Sequence, residues 1–246
     1  MQKHTLIRRI LAGILAAVLM AMTLSVPVGA RDVSDAEAKA RVLKALGLFR
    51  GVSDTNFDLE REPTRAEALV ILIRVLGKES EALAGGRSHP FTDVPAWADP
   101  YIAYAYQTGL TKGVSATEFG TGGANGAMVL TFMLRALGYS DAAGDFSWND
   151  PFPLAKQAGI LPDGVDTEHF WRADAVLVSH AALKATVKGA GITLAERLIA
   201  AGVFTAETYK AVTGAAIPQS GGAKKIFVAD PADFPGIGAD DVAIGD

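Results

Sequence analysis

The sequence predicts an all-α protein, and three observations predict it. Apolar residues cluster in helix-length blocks, the clearest being Leu69, Val70, Leu72, Ile73, Val75 and Leu76. Blocks open on capping boxes, a hydroxyl residue followed three positions later by Glu: Ser34 with Glu37, Thr64 with Glu67, Thr193 with Glu196. They close on glycine, at or shortly after Gly47, and at Gly77 and Gly138. Against these stands one very short strand candidate, Ile226-Phe227-Val228.

Taken in order, the chain first shows a secretory signal peptide over residues 1–30. Lys3, Arg8 and Arg9 form a basic start, residues 10–24 are apolar apart from Thr23, and Pro27 precedes the small residues Gly29 and Ala30. Cleavage is expected after Ala30. Removing those three cations from the 23 Lys and Arg leaves 20 against 27 Asp and Glu, a formal charge of −7. So acidic a chain is not a general nucleic-acid or anionic-membrane binder, and any anionic ligand has to be held by a local site. It has no cysteine, so stability rests on a hydrophobic core, for which 50% hydrophobic residues are ample.

The Ser34 helix is expected to turn Ala38, Val42, Leu46 and Phe49 inward. A polar loop to Glu62 carries Phe57, expected to plug the core beneath it. The Thr64 helix is apolar almost all round and is therefore expected in the centre. Residues 78–90, with Gly85-Gly86, read as a linker. Asp99-Pro100 opens an amphipathic helix with Tyr101, Ile102, Ala105 and Tyr106. Phe119 and the cap Asn125 then repeat the places of Phe57 and Thr64, with Gly126 and Met128 where Arg65 and Glu67 stood. A shorter version follows. It has a helix over 154–158, then Gly159-Ile160, then Trp171-Arg172-Ala173-Asp174 opening a helix through Leu183. Trp171 replaces the capping hydroxyl, so that N-terminus must be satisfied in another way. Two short helices through about Val212 complete the ordered part, and residues 213–246 read as linker and acidic tail.

Arg65 is the odd residue. It sits in a helix first turn, where the dipole disfavours a cation. An anion held jointly by the helix N–H groups and the guanidinium would explain it, and so would a solvated arginine beside an ordinary cap. Enzyme chemistry is poorly supported. His89, His169 and His180 form no metal-ligand spacing, Gly113-Val114-Ser115-Ala116-Thr117 misses the nucleophile elbow at its last position, and Gly236-Ile237-Gly238 lacks the third glycine of a dinucleotide loop. No metal or cofactor is expected.

Four sub-motifs occur: the Thr64-Arg65-Ala66-Glu67 helix start and then, in order, Phe91-Thr92-Asp93-Val94, Trp97-Ala98, and Gly109-Leu110-Thr111-Lys112-Gly113 with Phe119. Together they resemble the S-layer homology family over roughly residues 34–211. The resemblance implies three repeats, over 31–78, 91–139 and a diverged 146–212, in a pseudo-threefold arrangement around a central three-helix bundle. It implies non-enzymatic anchoring at the bacterial surface, by binding of anionic, pyruvylated secondary cell-wall polysaccharide linked to peptidoglycan. Thr64, Arg65 and Glu67 would then belong to the glycan site, with Arg65 the main ligand, Glu67 ordering the turn, Gly51 allowing close approach and Arg172 a weaker counterpart. Trp97 would stack on sugar if it is not simply packed. Two other functions fit the same residues: an envelope interaction module that keeps the fold without strong glycan binding, and a hydrolase with an unrecognised site.

Overall fold

The structure is a computed structural model and describes residues 31–215. The expected signal peptide, the strand candidate at 226–228 and the tail beyond residue 215 lie outside the described residues. From Val33 onward the described residues belong to one compact unit. Its described residues make α1 (Ser34–Ala45), α2 (Arg65–Val75), α3 (Glu79–Leu83), α4 (Asp99–Gln107), α5 (Gly126–Ala136), α6 (Phe152–Gln157), α7 (Arg172–Ala182), α8 (Leu194–Ala200) and α9 (Ala206–Thr213), with no strand among them. The all-α expectation holds.

The helix starts follow local chemistry with one correction. At α2 the Glu67 N–H donates to Thr64 Oγ1 at 3.2 Å and the Thr64 N–H to Glu67 Oε2 at 2.8 Å, the expected box. Thr193 and Glu196 do the same at α8. Asn125 caps α5, its Oδ1 accepting from the Met128 N–H at 2.9 Å. The Ser34 box does not form, because α1 starts at Ser34 itself with Val33 at the N-cap. Asp35 and Glu37 pair instead with Lys39 and Arg41 one turn on. That start turns Ala36, Ala40 and Leu43 inward and leaves Ala38 exposed, contrary to expectation. The expected linker after Gly77 contains the short helix α3. Tyr106 lies mostly outside, its ring meeting Phe91 edge-on.

α2 is buried over nearly its whole circumference from Ala66 to Val75, with only Glu67 and Arg74 partly exposed. Such a helix needs cover all round, and it receives it from α5, α7 and α4. α2, α5 and α7 touch pairwise and make the centre of the molecule. The flanking helices are exchanged around it: α1 packs on α7, α4 on α2, and α6 on α5. Each therefore covers a central helix other than the one that follows it in the chain.

The same rotation seals the central helix N-termini. The Arg65 N–H donates to Gly122 O at 2.9 Å, and the Ala124 N–H returns to Pro63 O at 2.8 Å. At α7, where Trp171 offers no hydroxyl, the Arg172 and Ala173 N–H groups donate to Arg61 O (2.8 Å) and Leu59 O (3.1 Å), and Asp174 Oδ2 accepts from the Trp171 N–H at 2.7 Å. This is how that end is satisfied. Gly126, first residue of α5, lies against Thr167 and Phe170, where a Cβ would come within 3.2 Å of backbone. At the opposite end, Arg197 of α8 donates to Ala136 O at 3.1 Å, a cation on the carbonyl terminus of α5.

Candidate functional site

Arg65 leaves the first turn of α2 and crosses onto α5. Its guanidinium lies 5.1 Å from the Phe119 ring centroid and 5.9 Å from that of Phe132. Its polar contacts are weak, Met128 Sδ at 3.6 Å and Thr111 Oγ1 at 3.5 Å, and its buried Nε has no hydrogen-bond partner. Among the described residues no carboxylate lies within ion-pairing distance. Burial, and Arg135 nearby, push its pKa down, with Asp93 opposing. Arg65 is thus a half-buried cation whose charge is incompletely met.

Arg172 makes the equivalent crossing from α7 onto α2, with the opposite outcome. It is 5% exposed, sits 5.7 Å from the Phe49 ring centroid, and donates to Phe57 O from Nε and Nη2 at 3.4 and 3.3 Å. Its Nη1 lies 3.5 Å from Glu67 Oε1. Glu67 also accepts two hydrogen bonds from Arg61, at 2.9 and 2.6 Å, and Arg61 Nε donates to Asp58. The Arg61 hydrogen bonds, with help from the Thr64 N–H and Arg172, outweigh burial and hold the Glu67 carboxyl at about 2. What decides between the two arginines is the third residue of the facing helix, Glu67 for Arg172 and Met128 for Arg65.

Four of the six expected site residues come together. Gly51, Glu67, Trp97 and Arg172 line a groove of about 250 Å³ with Arg50, Val52, Val70, Ile71 and Arg74. Trp97 is 54% exposed there. Arg65 is not in this groove, and Thr64 does not line it. Residues adjacent in sequence therefore serve different grooves, because each groove is built where one central helix start meets the next central helix. Gly51 has a local reason to be glycine: a Cβ there would stand 2.2 Å from Asn56 O.

Around Arg65 the same design recurs position for position. Lys112, Gly113 and Val114 replace Arg50, Gly51 and Val52, while Met128, Thr131, Phe132 and Arg135 replace Glu67, Val70, Ile71 and Arg74. Trp148, 66% exposed, is fixed by its carbonyl, which accepts from Thr131 Oγ1 at 3.1 Å. Asp93 fixes the loop that carries Phe119, accepting from the Phe119 and Gly120 N–H groups at 2.7 and 2.8 Å. Arg50, Arg74, Lys112, Arg135 and Trp148 were missed from sequence. Their signal was the repetition itself, a cation before each glycine and another in the last turn of each apolar helix.

The groove at Trp97 sets several arginines beside an exposed aromatic ring, and the residues around Arg65 repeat its sequence pattern. A further concavity of about 320 Å³ is bordered by Glu37, Asp58 and Glu60 and does not suit an anion. Among the described residues no cluster of His, Asp or Glu has metal-binding geometry, and no helix is long and apolar enough to cross a membrane. His89 is engaged by the Phe91 N–H at Nδ1 and by Asp99 at Nε2, 3.2 Å away.

Residues 90–124, which carry Asp93, Trp97, α4 and Phe119, match the family model of the S-layer homology domain. The chain is 39% identical over 114 residues to a cell surface protein of Thermoanaerobacter kivui, 45% of this chain and 15% of that protein. It is 26% identical over 147 residues to a surface layer protein of Brevibacillus choshinensis, 56% of this chain and 13% of that protein. A middle cell wall protein of Brevibacillus brevis is 29% identical over 109 residues, 43% of this chain and 10% of that protein. The chain thus matches only a small part of each of these relatives. The resemblance seen in the motifs is shown for the segment at 90–124.

Proposed function

We propose that this is an exported cell-surface anchoring module that binds an anionic cell-wall polysaccharide without chemical turnover. Residues 31–78, 91–139 and 146–212 act as three S-layer homology repeats in a pseudo-threefold ring, and binding takes place in the grooves between them. The surface and cell-wall proteins to which the chain is similar support the general role. The observation that carries the ligand chemistry is Arg65, a half-buried guanidinium whose Nε has no hydrogen-bond partner and which has no carboxylate within ion-pairing distance among the described residues. A pyruvyl ketal supplies a carboxylate, and the guanidinium fork fits one in two-pronged fashion. Trp97 and Trp148 offer faces for sugar rings.

The test is co-sedimentation with purified sacculi, before and after the wall polymer is stripped, then calorimetric titration with polymer fragments. Arg65→Ala should weaken binding about ten- to a hundredfold, the effect of losing a charge-assisted hydrogen bond. Arg172→Ala should cost less, because its charge is already met by Glu67. Arg65→Lys should restore binding only partly, and binding should weaken with salt. Unchanged affinity in a folded Arg65→Ala protein would remove the anion mechanism and favour an interaction module. Equal losses at Arg65 and Arg172 would overturn the distinction between the grooves.

A further inference from the structure

Glu79 opens α3, the short helix that the sequence presents as linker. It does not line the groove around Trp97 but stands behind it. Its Oε2 accepts from Arg50 Nη2 at 2.7 Å, and its Oε1 accepts from Arg74 Nε at 2.9 Å and from the Tyr101 hydroxyl at 2.8 Å. Its side chain is 14% exposed. One carboxylate therefore ties together the loop after α1, the last turn of α2, and α4. Burial pushes its pKa up, but the hydrogen bonds from Tyr101 and Arg74 and the two arginine charges outweigh this and leave it below its ordinary value.

The surroundings of Arg65 repeat the arrangement independently. Asp141, shortly after the end of α5, accepts from Arg135 Nε at 2.8 Å and Nη2 at 2.7 Å. In both places an acid from the segment after a central helix grips the arginine of that helix's last turn. A loop that only connected helices would not need a largely covered carboxylate at this point, since covering one is costly unless it is met by cations or donors.

We infer that Glu79 is the positioning and charge-setting residue of the Trp97 groove, fixing Arg50 and Arg74 and tuning the groove to a singly charged carboxylate rather than a doubly charged phosphate. The inference rests on the anion-binding function proposed above and names the ligand charge it selects. Arg50, Arg74 and Arg172 face Glu67 and Glu79, and Arg61 joins Glu67 to Asp58, so four cations stand against three anions in and behind the groove. The surplus is one positive charge. A monoanion neutralises it, while a dianion leaves an unmatched negative charge next to Glu67 and Glu79. Selectivity of this kind comes from what the site repels as much as from what it attracts.

Glu79→Gln keeps the shape of the side chain and a carbonyl acceptor while removing the charge, which raises the surplus to two. The experiment tracks the Trp97 indole signal by two-dimensional NMR at mildly alkaline pH, titrating the full chain with sodium pyruvate and separately with inorganic phosphate. In Glu79→Gln the affinity ratio of phosphate to pyruvate should rise roughly fivefold or more, because the added charge acts more strongly on a dianion. Glu79→Asp keeps the charge and should keep the parent ratio, and it also serves as the folded comparison if the Gln variant is unstable. Glu81→Gln, on the same helix but paired with Lys78 and Arg87, should leave the ratio unchanged. A fall in both affinities by the same factor in Glu79→Gln would show a merely structural role and overturn the inference. So would a parent protein whose Trp97 signal answers to neither anion. Sacculus binding of the parent is read separately, so anchoring can fail while the charge selectivity stands, and the reverse.

Discussion

Substituting Glu67→Gln should destabilise the protein and at the same time free an arginine for ligand. Glu67 joins the α2 capping box, the Arg61 pair and the contact to Arg172 of α7. Gln preserves the box, since an amide at that position can still accept from the Thr64 N–H. The charge interactions are what is lost. The carboxyl is held at about 2 against an ordinary 4.5. The full displacement corresponds to roughly 3.4 kcal/mol at 1.36 kcal/mol per unit. Arg61 is 40% exposed, so solvent screens the larger pair, and about 2 kcal/mol is a fair expectation. For a domain of this size that is a fall of about 4–8 °C in melting temperature. The sign with pH comes from the direction of the shift. A carboxyl depressed in the folded state stabilises fully above its unfolded value, and the contribution is lost as pH falls from 4.5 toward 2. Thermal melts of parent and variant, monitored by circular dichroism, should differ at pH 7 and converge toward pH 2. Meanwhile Arg172, no longer paired, should bind pyruvate more tightly in the Trp97 groove. A variant that melts within a degree of the parent at pH 7, or a gap that widens on acidification, would refute the role of this ion network in joining α2 to α7.

Two further substitutions probe the architecture and the surroundings of Arg65. Leu72→Asp places an unpaired carboxylate on a 2% exposed position of α2 and should cost several kcal/mol, enough to abolish cooperative melting at 37 °C; a cooperative melt within a few degrees of the parent would refute the central placement of that helix. Asp93→Ala removes the acceptor of two loop N–H groups beneath the Phe119 ring, so it should lower the melting temperature and weaken Arg65-dependent binding together. Those bonds hold the Asp93 carboxyl below its ordinary value, so in the parent their contribution is present at neutral pH and fades on acidification. Unchanged binding in Asp93→Ala would show that the loop needs no such support.

Much of the helical content was legible because its causes are local. A hydroxyl three residues before a glutamate, as in Thr64 and Glu67, satisfies orphan N–H groups within one turn, and no distant residue is needed to make it work. The nearly all-round apolarity of residues 66–75 demanded a central position wherever that helix went. Ser34 shows the limit of such local signals: the same motif was present, yet the helix began one residue earlier and left Ala38 outside, while Leu46 and Phe49 are buried as expected. The glutamate of α3 was hidden for a related reason, since a short polar helix carries no periodic signal.

By itself, then, the sequence determined the helices other than α3, the central place of α2 and the identity of the chemically unusual residues, Arg65 above all. Only the tertiary structure decided what those residues face. α1 could have packed on its own neighbour α2, and nothing within its residues says that it covers α7 instead. That exchange brings Arg172 onto Glu67 and Arg65 onto Met128, although Arg65 and Glu67 are two residues apart in the chain. Whether a buried guanidinium is neutralised or left to seek an anion depends on what lies within a few ångströms of it, because electrostatic interaction depends on distance in space and on burial. Separation along the chain does not enter.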